Sequence, residues 1–394
     1  MGTNGSFSRL TDVNKKTLRS RAFNFRWATL ESGVIPLTAA DPDISVPSPI
    51  IKGIQEYLNE PYLSYGPAEG LPEFCHGVAD FYNRHKRGDI QPEEVFAINS
   101  AASGMFLVAQ AVVKPGDEVI IADPVDFLLE RSVLAAGGVI KRFDRRPDTS
   151  ILEAIQEQYC SKTKMLSLCN PHNPTGEIFD RDTLEAILIW AKEKDIYVVS
   201  DEIWSDIVYD GETVHSVRSF DKSLTERVFI VYGYSKSFGL AGLRIGALIT
   251  PNAEWRDTMV KLSYAADTAY GVATLSQVGA VAAMQEASWS AFQDILKHYQ
   301  QNRDRITQFV HSMPTLSAIP PKATYLYWIN IEQTGHSADF IVEHLRKNHA
   351  LAVIPGNPTF FGPRAEGHIR LSFATTTDVL EEGLKRLRDG IESL

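Results

Sequence analysis

From about residue 95 to residue 250 the chain alternates short apolar runs with amphipathic stretches. Val119-Ile120-Ile121-Ala122, Ile196-Tyr197-Val198-Val199 and Val228-Phe229-Ile230-Val231 are near-continuous apolar segments. That is the pattern of strands covered on both faces, as in a parallel sheet between helices. Between the first two lies Asp182-Thr183-Leu184-Glu185, which reads as an N-cap with a glutamate three residues on. Leu184, Ile187, Leu188 and Ala191 then follow at helical spacing. Repeated strand–helix–strand units predict an α/β domain with a mostly parallel sheet.

Residues 286–394 carry a different pattern. A long polar helix over about 286–312 runs to Met313-Pro314. Tyr325-Leu326-Tyr327-Trp328-Ile329 reads as a strand, 337–348 as a helix and Pro355-Gly356-Asn357-Pro358 as a loop. A strand at His368-Ile369-Arg370-Leu371-Ser372-Phe373 and a last helix complete a smaller α+β unit. No internal repeat or low-complexity tract interrupts the chain. Its 394 residues suit two or three domains, or one large α/β body with an appendage.

Composition narrows the function classes. With 44% hydrophobic and 22% charged residues the chain matches soluble globular proteins, which excludes a disordered or fibrous protein. A net charge of −10 repels nucleic-acid phosphate, and no long Lys/Arg block reverses it locally. The short basic stretch of Lys141, Arg142, Arg145 and Arg146, broken by Asp144 and Asp148, reads as a solvated turn. Cys75, Cys160 and Cys169 form neither a disulfide framework nor a CxxC pair, which points to a reducing compartment. No signal-peptide core and no apolar run near the ~20 residues of a membrane helix are present, so a cytoplasmic, membrane-free protein is expected. Gly2 with Ser6 fits a myristoylation pattern and Asn4-Gly5-Ser6 a glycosylation sequon; both are short enough to arise by chance and are discounted.

Several chemistries lack their signatures. There is no GxGxxG after a strand, no Walker-type loop, no HExxH and no GxSxG elbow. The ten histidines are scattered, and His344 and His349 are five apart, wrong for one helical face. A metal site is therefore not expected.

Four features remain. Asn170-Pro171-His172-Asn173-Pro174-Thr175-Gly176 follows the strand-like 164–169, and Ser200-Asp201-Glu202-Ile203 ends the strand at 196–199. Tyr234-Ser235-Lys236-Ser237-Phe238-Gly239-Leu240-Ala241-Gly242-Leu243-Arg244 follows the strand at 228–231, and Arg370 lies in the late strand. Three of the four sit at strand C-terminal ends, where open α/β sheets place ligand crevices. Singly, each has a plain reading: a turn, a solvated loop, a helix cap, a surface arginine. Together they supply what pyridoxal 5′-phosphate requires. Lys236 offers an amine for a Schiff base and Asp201 an acid for the pyridine nitrogen. Ser235 and Arg244 can hold phosphate, and Arg370 can clamp an α-carboxylate bidentately.

On these motifs the chain resembles, over nearly its whole length, the class I/II aminotransferases of the fold-type I pyridoxal-phosphate enzymes. The resemblance implies a large cofactor-binding domain over 46–285, and a small domain built from 1–45 and 286–394. It matches the eight-residue separation of Lys236 and Arg244, and gives Asn173 a hydrogen bond to the cofactor's phenolic oxygen. It makes Ala101-Ala102-Ser103-Gly104 a phosphate cup at a helix start, and makes Tyr65 a tyrosine reaching phosphate across a homodimer interface. Ala40-Asp41-Pro42-Asp43 and Ser200-Asp201-Glu202-Ile203-Trp204-Ser205-Asp206 are similar to the branch of cystathionine β-lyase-like C–S lyases. Ala241-Gly242-Leu243-Arg244 is more typical of aminotransferases proper.

Departures from the pattern are informative. Asp126 stands where the family usually stacks an aromatic ring on the cofactor, so stacking is expected from Phe127. A sharper alternative makes Asp126 a carboxylate that recognises a cationic substrate group. Trp204 replaces a Tyr or His and can donate only through its indole N–H. Gly233 replaces a phosphate-binding serine, leaving that task to Ser103, Ser235 and Arg244. The favoured expectation is transamination between an amino acid and a 2-oxo acid through Lys236. Its alternatives are β-elimination by a C–S lyase and a non-catalytic sensor on the same fold.

Overall fold

The computed structural model describes residues 14–144, 149–267 and 269–394. The patterns at Gly2, Asn4, Gly5 and Ser6, and the basic residues Arg145 and Arg146, lie outside the described residues. In chain order the strands are β1 (Ile35–Pro36), β2 (Val95–Ile98), β3 (Glu118–Asp123), β4 (Val139–Asp144), β5 (Thr163–Cys169) and β6 (Tyr197–Asp201). They continue with β7 (Val228–Gly233), β8 (Gly246–Ile249), β9 (Leu326–Asn330), β10 (Leu351–Ala352), β11 (Ile354–Pro355) and β12 (His368–Ser372).

The main sheet has seven strands in the order β2-β8-β7-β6-β5-β3-β4. The pairs β4–β3, β3–β5, β5–β6 and β6–β7 are parallel, while β8 runs against β7 and β2. Every residue of β2, β7 and β8 is buried, as two-sided helix cover demands. The apolar runs at 119–122, 196–199 and 228–231 fall at β3, β6 and β7, with β6 shifted one residue on and extending through Asp201.

Two local expectations are corrected. The helix after β5 is Arg181–Glu193, and its cap is Asp180, whose carboxylate accepts from Thr183 N–H at 2.7 Å. Asp182 lies inside the first turn, where a negative charge still suits the helix dipole. Lys141 and Arg142 do not form a turn. They lie in edge strand β4, where Arg142 pairs with Glu130 at 2.8 Å and Lys141 with Glu118 at 3.5 Å. Charges on an edge strand are a common guard against unwanted pairing.

A second layer contains the antiparallel sheet β11-β12-β9 and the parallel pair β1-β10. In that pair Ile35 is in register with Leu351, so segments from the two ends of the chain share one layer. Helix Glu286–His311 lines this layer with Phe292, Ile295, Tyr299 and Ile306 buried along one stripe. His344 and His349 bring their rings to 5.1 Å because His349 is the last helical residue, and both meet the Ser393 hydroxyl. Among the described residues no helix is long and apolar enough to cross a membrane.

Candidate active site

β5, β6 and β7 run parallel, so their C-terminal ends open on one side of the sheet. Each end leads to a predicted site residue: Asn173 past β5, Asp201 as the last residue of β6, and Lys236 past β7. Arg370 arrives from β12 in the other layer, in register with Ile354 and Trp328. All four line a single cavity of about 440 Å³. Ala101, Ala102, Phe127, Trp204, Ser235 and Arg244 share its wall.

Lys236 Nζ donates to the Ala40 carbonyl at 2.6 Å, an oxygen that also accepts from the Tyr325 hydroxyl at 3.2 Å. The ammonium lies 5.4 Å from the centre of the buried Trp204 ring. Burial disfavours the charged amine and pulls its pKa down, against the opposing pull of Asp41, Asp126 and Asp201. An amine more easily freed of its proton is a better nucleophile.

Asp201 is buried, and its Oδ1 accepts from Ile203 N–H at 3.1 Å. Burial pushes its pKa up to about 7, with Asp126 adding to the rise and the Ile203 N–H and Lys236 opposing it. Beneath it, fully buried Glu202 accepts from Ser200, Ser216 and Val217 N–H at 3.0–3.2 Å, which ties the end of β6 to the 216–217 turn.

A polar line crosses the wall. Asp126 Oδ1 accepts from Leu128 N–H at 3.0 Å and so caps helix Phe127–Ala135. Its Oδ2 accepts from Asn173 Nδ2 at 2.8 Å. Asn173 Oδ1 in turn accepts from Arg370 at 3.0 Å, whose guanidinium lies 5.0 Å from the Phe361 ring centre. Burial lowers the Arg370 pKa to about 10, and Asp126 works against that fall. Each Asp126 oxygen thus holds one donor from the protein. Phe127 does face the cavity, with Phe360 at 6.4 Å and the Arg131 guanidinium at 4.4 Å.

Another stretch of the wall has donors that can bind an anion. Helix Ala101–Val112 starts at the wall, and no acidic residue occupies its first turn to neutralise its positive end. Arg244 follows the 3₁₀ turn Ala241–Leu243 with a left-handed backbone, φ +52°, and joins the same wall. Ser103 does not line it. Its hydroxyl donates to the Ser100 carbonyl at 2.8 Å and accepts from Ser100 N–H at 3.1 Å, completing a capping box, and Ser100 lines the cavity instead. Tyr65 also lies off this cavity, with 86% of its surface exposed.

Two contributors escaped the sequence reading. Asp41 lines the cavity with its pKa raised by burial, against the pull of Lys236. Its segment carries a signal, since Ala40-Asp41-Pro42-Asp43 stood out only as a resemblance. The Ala40 carbonyl is backbone, and no residue type announces it.

Comparison with known proteins agrees with this geometry. The chain is 28% identical over 372 residues to an aspartate aminotransferase of Pyrococcus horikoshii, covering 93% of each. The crystal structure of an aromatic aminotransferase from Pyrococcus horikoshii superposes with a TM-score of 0.86 at 28% identity, over 92% of this chain and 97% of that one. Cystalysin from Treponema denticola, which contains a pyridoxal 5′-phosphate cofactor, shares the fold with a TM-score of 0.87 at 22% identity, over 95% of this chain and 97% of its own. The model for aminotransferase class I and II matches residues 32–387, and the chain belongs to that family.

Proposed function

We propose that the chain transfers an amino group between an amino acid and a 2-oxo acid, with pyridoxal 5′-phosphate attached at Lys236. One observation carries this: a single cavity holds a half-buried amine, a buried acid, a buried guanidinium and the open start of a helix. The residues present fit the cofactor. An isolated buried carboxylate is costly without a cation beside it, and a protonated ring nitrogen next to Asp201 is such a cation. When bound, the cofactor supplies an aldehyde for the amine and an electron-withdrawing ring beside the substrate α-carbon.

The chain's own groups then have these tasks. The N–H groups of Ala101 and Ala102, the Ser235 hydroxyl and Arg244 would hold its phosphate. Asp201 would hold the proton on the ring nitrogen, and Asn173 and Trp204 would serve the phenolic oxygen. Arg370 takes the α-carboxylate in paired charge-assisted hydrogen bonds. Lys236 Nζ accepts the α-proton and returns it on the other side of the amino transfer. The surface around Tyr65 supports a homodimer: Tyr62, Leu63, Tyr65 and Tyr270 are exposed, on segments joined where Thr274 donates to the Ser64 carbonyl at 3.1 Å. The β1–β10 pairing supports placing the N-terminal segment with the small domain, apart from 46–285.

An amino-acid panel tests the reading. The expected result is formation of the matching 2-oxo acid with 2-oxoglutarate as acceptor, without pyruvate or thiol release from cystathionine. Elimination products would overturn transamination in favour of the lyase. Bound cofactor with no turnover of any amino acid would favour the sensor.

A further inference from the structure

Asn173 stands between a group that can only accept and a group that can only donate. Its Nδ2 donates to the Asp126 carboxylate and its Oδ1 accepts from the Arg370 guanidinium. The two ends of a side-chain amide have nearly the same shape, so sterics alone do not choose which end faces Arg370. Turned over, the amide would set its NH₂ against the guanidinium and its oxygen against the carboxylate. Donor would face donor and acceptor would face acceptor. With Asp126 present, one orientation alone satisfies both neighbours.

Asp126 is itself fixed. Its Oδ1 caps the helix after it, and its backbone N–H donates to the Asn173 carbonyl at 3.2 Å. On either side, Val125 N–H donates to the Phe361 carbonyl at 2.8 Å and Phe127 N–H to the Phe360 carbonyl at 3.1 Å. These bonds join three wall segments: the loop of Asp126, the loop of Asn173 and the strip bearing the Phe361 ring against which Arg370 lies.

We propose that Asp126 is a positioning residue for the substrate's α-carboxylate, acting through the Asn173 amide on Arg370. An aromatic ring at this place would stack on the cofactor but would remove the carboxylate to which the Asn173 amide donates. The inference rests on the transaminase reading, with Arg370 as the carboxylate clamp. It adds that this chain's departure at position 126 serves substrate binding.

The test uses the cofactor-loaded enzyme and four proteins: native, Asp126→Ala, Arg370→Ala and the double variant. The probes are an amino acid that the native enzyme turns over and its α-methyl analogue, which binds but has no α-proton to lose. Asp126→Ala should raise KM and the α-methyl Kd by about tenfold, the scale of one lost charge-assisted bond. Cofactor content should stay the same and kcat should change far less. In the Arg370→Ala background, adding Asp126→Ala should raise the Kd no further, because the group it positions is gone. A Kd unchanged in the single variant, or raised equally in both backgrounds, overturns the proposal. If Asp126→Ala does not fold, Asp126→Asn takes its place. It keeps a helix-capping side chain but has one acceptor oxygen for two donors, so the same weakening is expected. Absent native turnover would instead sink the transaminase reading, and is measured first.

Discussion

Gly246 opens β8 between two pieces of backbone. It is in register with Ile98 of β2 and Gly233 of β7. A Cβ placed on it would lie 2.8 Å from the Tyr232 carbonyl oxygen, and 3.0 Å from both the Ala101 nitrogen and the Ser100 carbonyl carbon. No side chain can swing away to relieve these contacts. In Gly246→Ala either β8 must part from β7 or the start of helix Ala101–Val112 must retreat by several tenths of an ångström. Overpacking of this kind costs about 1–3 kcal/mol. A retreating helix start also draws the Ala101 and Ala102 N–H groups away from the anion they are proposed to bind. Hydrogen bonds to charged groups contribute about 1.5–3 kcal/mol, so losing one weakens cofactor binding roughly ten- to a hundredfold. The assay is titration of the cofactor-free protein with pyridoxal 5′-phosphate and, separately, with pyridoxal, alongside urea unfolding. Phosphate affinity should fall while pyridoxal affinity stays close to native. An unchanged phosphate Kd with an unchanged unfolding midpoint would refute both the packing argument and the placement of the phosphate end.

Lys236→Ala should abolish covalent attachment of the cofactor, read by borohydride reduction and mass spectrometry, and cut turnover by about 10²–10⁴-fold or more; a retained adduct would reassign the amine. Arg370→Ala should raise KM for amino acids by roughly ten- to a hundredfold, and Arg370→Lys should recover little, because an ammonium cannot reproduce the planar fork. Full rescue by lysine in steady-state kinetics would refute a bidentate clamp. For Asp201, the folded pKa of about 7 lies above the ordinary carboxylate value. Its stabilising contribution to the cofactor-free protein is therefore present at low pH and lost as pH rises through about 7. Urea unfolding of cofactor-free native protein should weaken from about pH 4 to 7 more steeply than that of Asp201→Asn, and equal slopes would exclude a buried, proton-holding acid.

The parallel sheet was legible because strands buried on both faces have to be written as unbroken apolar runs, as at Val228–Gly233. Lys236, Asp201, Asn173 and Arg370 were legible because each is a chemically distinctive side chain at a strand end or in a strand. What stayed hidden is work done by backbone and by local competition. Ser103 has a hydroxyl suited to phosphate, but the capping box at Ser100 claims it. For Asp126 the sequence shows a carboxylate but not its partners, the Leu128 N–H and the Asn173 amide. Asp180 outcompeted Asp182 as a cap because chain direction at the helix start, invisible in a string of letters, decides which carboxylate reaches the free N–H groups.

The pairing of Ile35 with Leu351 has a temporal meaning. The segment that presents the Ala40 carbonyl to Lys236 follows a strand whose partner lies far along the chain. Contacts this far apart in sequence are slow to form, because a long loop must close before they repay its entropy. The Ala40 carbonyl that meets the Lys236 amine is therefore set in place by a contact of the slow kind.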